Sequence, residues 1–283
     1  MLKKSKLIYT VVVLLILIML VILFFQNISE DKKAPVIEMN SKKITVSVKD
    51  GDDVLLKGVT AKDDRDGDLT SSIVVEGLSD FLSDSTRIVT YSVCDDSNNV
   101  AKAERTVVYS DYKSPEFDLS SDMTFYSSNT SMNIAEKITA SDVFDGDLTP
   151  FIKLTDDNIV IGQGGQYYAQ VSVYNSAGDV SSLKLPVFIE SFLPNPSAPQ
   201  IELSKYLIYV DKDSQQPDWN SYIKNVRKHS NTVTNIPAQQ YKKNLVIDSS
   251  NVSMTKKGCY YVTYEYVDEN SMTAVTRLVV VVR

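Results

Sequence analysis

Two short acidic boxes are the segments best equipped for chemistry. Asp66-Gly67-Asp68-Leu69-Thr70 recurs as Asp145-Gly146-Asp147-Leu148-Thr149, with Asp63 and Asp64, or Asp142, just ahead. Carboxylates bent together by a glycine supply hard oxygen ligands, of which Ca²⁺ takes about six to eight. Asp63, Asp66 and Asp68 in one box, and Asp142, Asp145 and Asp147 in the other, are therefore the candidate ligands of a weak calcium site. The loop is not an EF-hand, because no Glu closes it at the twelfth position. The same residues have a structural use: aspartates accept bonds from nearby backbone N–H groups in turns, and the Gly takes a positive φ. That use is the commoner one, and extracellular modules often hold calcium only at about 10⁻⁴–10⁻³ M. Aligning Thr234 with Thr70 puts Arg227, Ser230 and Thr232 where Asp63, Asp66 and Asp68 stand, so the acidic residues vanish together further along the chain.

Other chemistry is poorly supplied. A glycosidase pair needs two carboxyls at fixed separation in a cleft, and a box that recurs in tandem reads against an active site. His229 is the sole histidine, so a Ser-His-Asp or Cys-His arrangement would have to be built around it. It sits in the basic stretch Arg227-Lys228-His229, which reads as a solvated loop. Gly162-Gln163-Gly164-Gly165 lacks the Lys-Ser/Thr of a phosphate loop and precedes a strand pattern, so it reads as a hairpin turn. Cys94 and Cys259 are the two cysteines; alternation points both away from the expected core, as free and partly exposed thiols. Sequons at Asn27, Asn129 and Asn251 are short patterns that carry little weight.

The elements that position the boxes repeat with a period near 80 residues. Ala34-Pro35-Val36-Ile37-Glu38 returns as Ser114-Pro115-Glu116-Phe117-Asp118 and Ala198-Pro199-Gln200-Ile201-Glu202. Tyr91-Ser92-Val93-Cys94-Asp95 likewise aligns with Val171 to Asn175 and with Tyr264 to Asp268. Tyr167, Ala169, Val171 and Val173 share one face of an alternating run, as do Tyr260, Val262, Tyr264 and Tyr266. Period-two alternation is the mark of a half-buried strand. A turn rich in Asp, Asn, Ser and Gly follows each, and then a last strand (103–109, 183–189, 275–282). Residues 218–226 read as a short helix or turn. The expected fold is all-β: three tandem sandwiches at 34–111, 112–191 and 198–283, preceded by one transmembrane helix. Short linkers, with Pro194 and Pro196 stiffening the one at 192–197, suggest a rod of three beads.

The leading Pro, the Asp-Gly-Asp-Leu-Thr box and the Tyr-x-Val-x-Asp strand-turn resemble a group of bacterial immunoglobulin-like domains. Such domains occur in pesticidal crystal proteins and Gram-positive surface proteins. The resemblance covers 34–110 and 114–190 well and 198–283 in part, where the box is missing. It implies an immunoglobulin-like sandwich and a surface location, and no defined activity.

The N-terminus is of another kind. From Leu7 to Phe25 nineteen residues carry polar atoms only at Tyr9 and Thr10. At about 1.5 Å per residue the run is about 28 Å long, close to a bilayer core. Lys3, Lys4 and Lys6 precede it and no basic residue follows until Lys32, which places a tail at 1–6 in the cytoplasm and everything beyond a linker at 26–33 outside. The run is longer than a signal-peptide core, and Phe24-Phe25-Gln26-Asn27 offers no small-x-small cleavage site, so an uncleaved anchor is expected. Setting those lysines aside, 26 basic residues face 36 acidic ones, which argues against nucleic acid as a partner. Among sixteen tyrosines, Tyr91, Tyr167, Tyr260, Tyr264 and Tyr266 fall inward, whereas Tyr168, Tyr206, Tyr209 and Trp219 have no assigned place. The sequence thus points to a non-enzymatic, membrane-anchored surface stalk and adhesion module. Its alternatives are a glycan- or wall-polymer-binding protein with the third domain as head, and an accessory module of a cell-envelope hydrolase.

Overall fold

The computed structural model describes residues 2–29, 31–83, 85–128, 132–193, 195–228 and 234–283, with first-helix side chains described over 8–23. Leu2–Ser29 form helix α1. Every described side chain on it, from Ile8 to Leu23, is exposed. Leu7, Phe24 and Phe25, the ends of the expected span, carry side chains outside the described residues. Among the described residues no helix is long and apolar enough to cross a membrane.

The remainder is β-structure built three times on one plan. The first repeat holds β1 (Val36–Met39), β2 (Lys43–Val46), a one-turn helix α2 (Asp52–Leu55), β3 (Val59–Asp63), β4 (Gly67–Asp68), β5 (Val74–Leu78), β6 (Thr86–Cys94) and β7 (Val100–Tyr109). Its two sheets run β1-β3-β4 and β2-β7-β6-β5. β2 is parallel to β7, whereas β1 is antiparallel to β3, so the leading segment serves both sheets. The second repeat has β8 (Glu116–Leu119), β9 (Thr124–Tyr126), β10 (Ile138–Asp142), β11 (Gly146–Asp147), β12 (Lys153–Asp157), β13 (Gly165–Tyr174) and β14 (Val180–Glu190). The third has β15 (Gln200–Leu203), β16 (Leu207–Val210), β17 (Ile223–Lys228), β18 (Thr234–Asn235), a one-turn helix α3 (Ala238–Tyr241), β19 (Leu245–Asp248), β20 (Gly258–Val267) and β21 (Thr273–Val282). Both repeat the same strand orders, with β9 parallel to β14 and β16 parallel to β21. Two facing sheets with a sheet-switching leading segment is the organisation of an immunoglobulin-like sandwich.

The cores follow the alternation. Val89, Tyr91 and Val93 are buried on β6, Ala169, Val171 and Val173 on β13, and Val262, Tyr264 and Tyr266 on β20. The buried hydroxyls find partners: Tyr91 donates to the Leu55 carbonyl at 2.6 Å, and Tyr264 to that of Trp219 at 2.9 Å. Trp219 begins a 3₁₀ turn, Trp219–Tyr222, in the stretch expected to be a short helix or turn, and β17 follows it.

The chain divides into two compact units, 1–111 and 112–283. The expected rod therefore needs correction for the second and third repeats, which form one body. Leu207, Val279 and Val281 belong to the core of the second repeat, with Tyr206, Tyr209 and Cys259 packed against it. Phe188, on the outward face of β14, meets Tyr261 edge-on at 4.9 Å and lies under the Arg277 guanidinium at 4.0 Å. The Tyr209 hydroxyl accepts from the Phe117 N–H at 2.9 Å, and Arg283 donates to Glu116 at 2.6 Å. The cause is visible on the strands: Pro186 to Ile189 and Val279 to Val282 are buried without alternation, so both faces are covered. Cys259 is half-buried, in keeping with the partly exposed thiol expected, but it packs against the core of the second repeat, and burial pushes its pKa up to about 12. Cys94 is exposed, and both cysteines are free.

Candidate metal centre

The acidic boxes form tight turns, with Gly67 and Gly146 at φ of 78° and 70°. Asp63 Oδ1 accepts the N–H groups of Arg65 and Asp66 at 2.7 and 3.0 Å, and Asp142 Oδ1 those of Phe144 and Asp145 at 3.0 and 2.7 Å. Asp68 and Asp147 each accept the N–H two residues on, at 2.9 Å. The second acid of each trio reaches the neighbouring hairpin: Asp66 accepts from the Asp96 N–H, and Asp145 from the Ser176 N–H and hydroxyl. Backbone N–H groups, that of Asp66 foremost, hold the Asp63 carboxyl below its ordinary pKa, while Thr70 and Thr149 do so for Asp68 and Asp147.

Among the described residues one group of three carboxylates comes together, and of the six predicted ligands it contains Asp63. Its other members are Asp31, two residues beyond α1, and Asp95, in the β6–β7 turn. The three offer oxygens within 4.8 Å of one another. Asp31 and Asp95 are buried, and Asp63 is half-buried. Asp95 accepts from the backbone and side-chain amides of Asn99 at 2.7 and 2.8 Å, while Asn99 also donates to the Asp31 carbonyl at 3.1 Å. Asp31 Oδ1 accepts the Lys33 N–H at 3.0 Å. The Oδ2 atoms of Asp31 and Asp63 are buried and, among the described residues, have no hydrogen-bond partner. Arg65 Nε stands 3.7 Å from Asp31 Oδ2, with half its side chain exposed.

The equivalent places in the other repeats are filled differently. In the second, Asn175 replaces Asp95 and donates to Asp142 Oδ2 at 2.6 Å and to the Tyr112 hydroxyl at 2.8 Å. Tyr112 in turn donates to Asp179 at 2.7 Å, and its burial raises its pKa, which keeps the hydroxyl protonated. In the third, register places Lys228, not Arg227, at the position of Asp63. Lys228 pairs with Thr234 where Asp63 pairs with Gly67, and Ile236 N–H bonds the Val226 carbonyl where Leu69 bonds Ala61. The hairpin is two residues longer, which displaced the sequence alignment by one position. Lys228 forms an ion pair with Glu269, next to Asp268, the counterpart of Asp95. His229, Ser230 and Thr232, like Asn129 and Pro194, lie outside the described residues.

A second feature lies within 112–283. A groove of about 630 Å³ between the second and third repeats is lined in part by Asp122, Tyr126, Lys137, Glu190, Tyr206 and Arg277. Its two carboxylates are engaged: Glu190 pairs with Arg277 at 3.2 Å, and Asp122 accepts the Thr124 and Thr276 hydroxyls at 3.0 and 3.4 Å. Trp219 is buried in the core of the third repeat and Tyr209 packs against the second, so neither offers an exposed aromatic platform. Gly162-Gln163-Gly164-Gly165 is a turn leading into β13, with Gln163 N–H bonded to the Val160 carbonyl at 3.3 Å.

No protein-family model and no curated protein matches this chain. Among solved structures, it is similar at 19% identity to the CBM51-2 and INT domains of Clostridium perfringens ZmpB in complex with GlcNAc, over 53% of this chain and 26% of that one, with a TM-score of 0.22. The M60 catalytic domain of the same protein with CBM51-1 and CBM51-2 matches at 13% identity over 88% and 30%, TM-score 0.23. The protocadherin GammaB4 extracellular domain matches at 11% over 89% and 51%, TM-score 0.22. The chain thus spans from about a quarter to half of these structures. TM-scores this low carry no argument, and the sandwich fold rests on the strand pairing above.

Proposed function

We propose that this chain is a non-catalytic, single-pass membrane protein of a Gram-positive-type bacterium, whose tandem sandwiches act as a surface stalk and interaction module. The observation that supports it is the joining of an apolar helix, exposed at every described side chain, to repeated immunoglobulin-like sandwiches. Water-exposed Ile, Leu and Val along a whole helix are unfavourable by about 25 cal/mol per Å², and a bilayer would remove that exposure. Lys3, Lys4 and Lys6 ahead of the run would keep the N-terminus cytoplasmic and the sandwiches outside. The likeness of the Pro, Asp-Gly-Asp and Tyr-x-Val segments to bacterial surface domains agrees with this placement. The test is fractionation of cells making the full chain with a C-terminal tag. The chain should stay in carbonate-washed membranes, and its tag should be cut by protease added to intact cells. Recovery in the soluble fraction, or a protected tag, would refute the reading.

A second reading, binding of a glycan or wall polymer, is favoured by the groove with Tyr126, Tyr206 and paired charges along it. It moves the head from the third repeat to the junction of the second and third. Titration of the purified chain with cell-wall polysaccharide would show saturable binding that Tyr126→Ala weakens; no binding would remove it.

A further inference from the structure

We infer that Asp31, Asp63 and Asp95 form a site for a hard divalent cation, Ca²⁺ by preference, which fastens the segment leaving α1 to two loops of the first sandwich. Two oxygens on one Ca²⁺, each at about 2.3–2.6 Å, lie no more than about 5 Å apart. The three carboxylates meet that limit, each offering an oxygen within 4.8 Å of the others. The second observation is the state of the carboxylate oxygens in the cluster. Asp31 is 8% exposed, yet among the described residues its Oδ2 has no hydrogen-bond donor, and neither has Asp63 Oδ2. Buried oxygens are normally bonded, so orphans on two of the three clustered carboxylates call for a partner. Arg65 at 3.7 Å brings one positive charge against three negative ones.

The chain carries its own controls. The second repeat meets the same carboxylate with the Asn175 amide. The third sets Lys228 in its place, ion-paired with Glu269, and brings no second carboxylate to Asp268, whose Oδ2 is nonetheless buried without a hydrogen-bond partner among the described residues. The first repeat differs in gathering three carboxylates against the single Arg65 guanidinium, which leaves room for a cation from solution. The donor set is all carboxylate, with neither nitrogen nor sulfur, which selects Ca²⁺ or Mg²⁺ over the softer metals. Mg²⁺ demands near-ideal octahedral geometry, whereas Ca²⁺ accepts an irregular, partly hydrated set drawn from three separate segments.

The experiment is calorimetric melting of the full chain in detergent, in chelator, in Ca²⁺ and in Mg²⁺. An affinity of about 10⁻⁴–10⁻³ M, met with about 10 mM calcium, is a ten- to hundredfold excess and stabilises by about 1.4–2.7 kcal/mol. For a domain of this size that raises the first-repeat transition by at least about 5 °C. Asp31→Asn and Asp95→Asn should abolish the rise and, by relieving repulsion, melt no lower than wild type in chelator. Asp147→Asn should keep the full calcium response. The site is refuted if wild type shows no calcium-dependent rise, or if the two variants retain it. Variants that melt lower in chelator and in calcium alike would show a purely structural cluster, and an equal response to Mg²⁺ would overturn the calcium assignment.

Discussion

Phe188 is where the union of the second and third repeats can be tested without touching either interior. Its neighbour on β14, Val187, points into the core of the second repeat, whereas Phe188 faces outward, is buried, and is held by the Tyr261 ring edge and the Arg277 guanidinium. Truncation of a buried Phe to Ala costs about 3–5 kcal/mol, which already contains the aromatic and cation–π contributions of about 0.5–2 kcal/mol each. In a unit the size of 112–283 each kcal/mol shifts the midpoint by about 2–4 °C, so Phe188→Ala should lower it by roughly 10 °C. Differential scanning calorimetry of the full chain reads this directly. Wild type should show one transition for the two repeats together, and the variant an earlier transition that broadens or divides as the two lose their coupling. The first-repeat transition should not move. Independent melting of all three repeats in wild type would refute the shared core, as would a Phe188→Ala transition unchanged from wild type.

The two thiols offer a second test. Cys94 is exposed and should react with a neutral-pH thiol reagent within minutes, whereas Cys259, whose thiol is raised to about 12 by burial, should label only as 112–283 unfolds. Equal labelling rates in the folded chain would contradict the packing of Cys259 on the second repeat. Acid provides a third. Asp68 and Asp147, held low by Thr70 and Thr149, contribute stability above their unfolded pKa that is lost as pH falls through the folded values. Melting temperature in chelator should therefore decline below about pH 4, and Thr149→Val should flatten that decline for the 112–283 transition; an unchanged acid limb in the variant would count against the turn bonds.

Much of this fold is legible in the sequence because strands of a half-buried sheet announce themselves locally. Tyr167 to Val173 and Tyr260 to Tyr266 alternate on the page as they do in space, and each acidic box carries its glycine where the turn needs positive φ. What fails is whatever depends on a second body. The alternation that turns Cys259 away from the core of its own sandwich does not reveal the second repeat it packs against, although the four valines 279–282 break alternation and signal a strand covered on both faces. The one-turn helices α2 and α3 are too short to show a period. The third hairpin is two residues longer than the others, so counting back from Thr234 misplaces the residue that replaces Asp63. Asp31 is further from reach: it stands 32 residues from Asp63 and 64 from Asp95 in sequence, inside a segment that reads as a linker, and only closure of the sandwich brings the three together.

The three repeats meet a common problem where the incoming segment, the end of the third strand of each plan and the last hairpin turn converge. Each must bury polar groups there because the hairpin turn is closed by an Asp or Asn that accepts its own backbone amides: Asp95, Asn175 and Asp268. In the second repeat, making that residue an amide lets one side chain both accept from the turn and donate to Asp142, so the two side chains attract rather than repel. In the third, Lys228 takes the place of the opposing carboxylate and pairs with Glu269, so no second acid faces Asp268. The first repeat keeps both carboxylates and adds Asp31. Within 4.8 Å and at an effective dielectric near 20, a pair such as Asp31 and Asp95 repels by about 3.5 kcal/mol or more, a large share of a domain stability of about 5–15 kcal/mol, and the one Arg65 guanidinium beside Asp31 offsets only part of the charge of three carboxylates. A cation that offsets the rest would also set when the segment following α1 is fixed to the sandwich and when it is released. The first repeat would then be conditional on the ionic medium where its two successors are not.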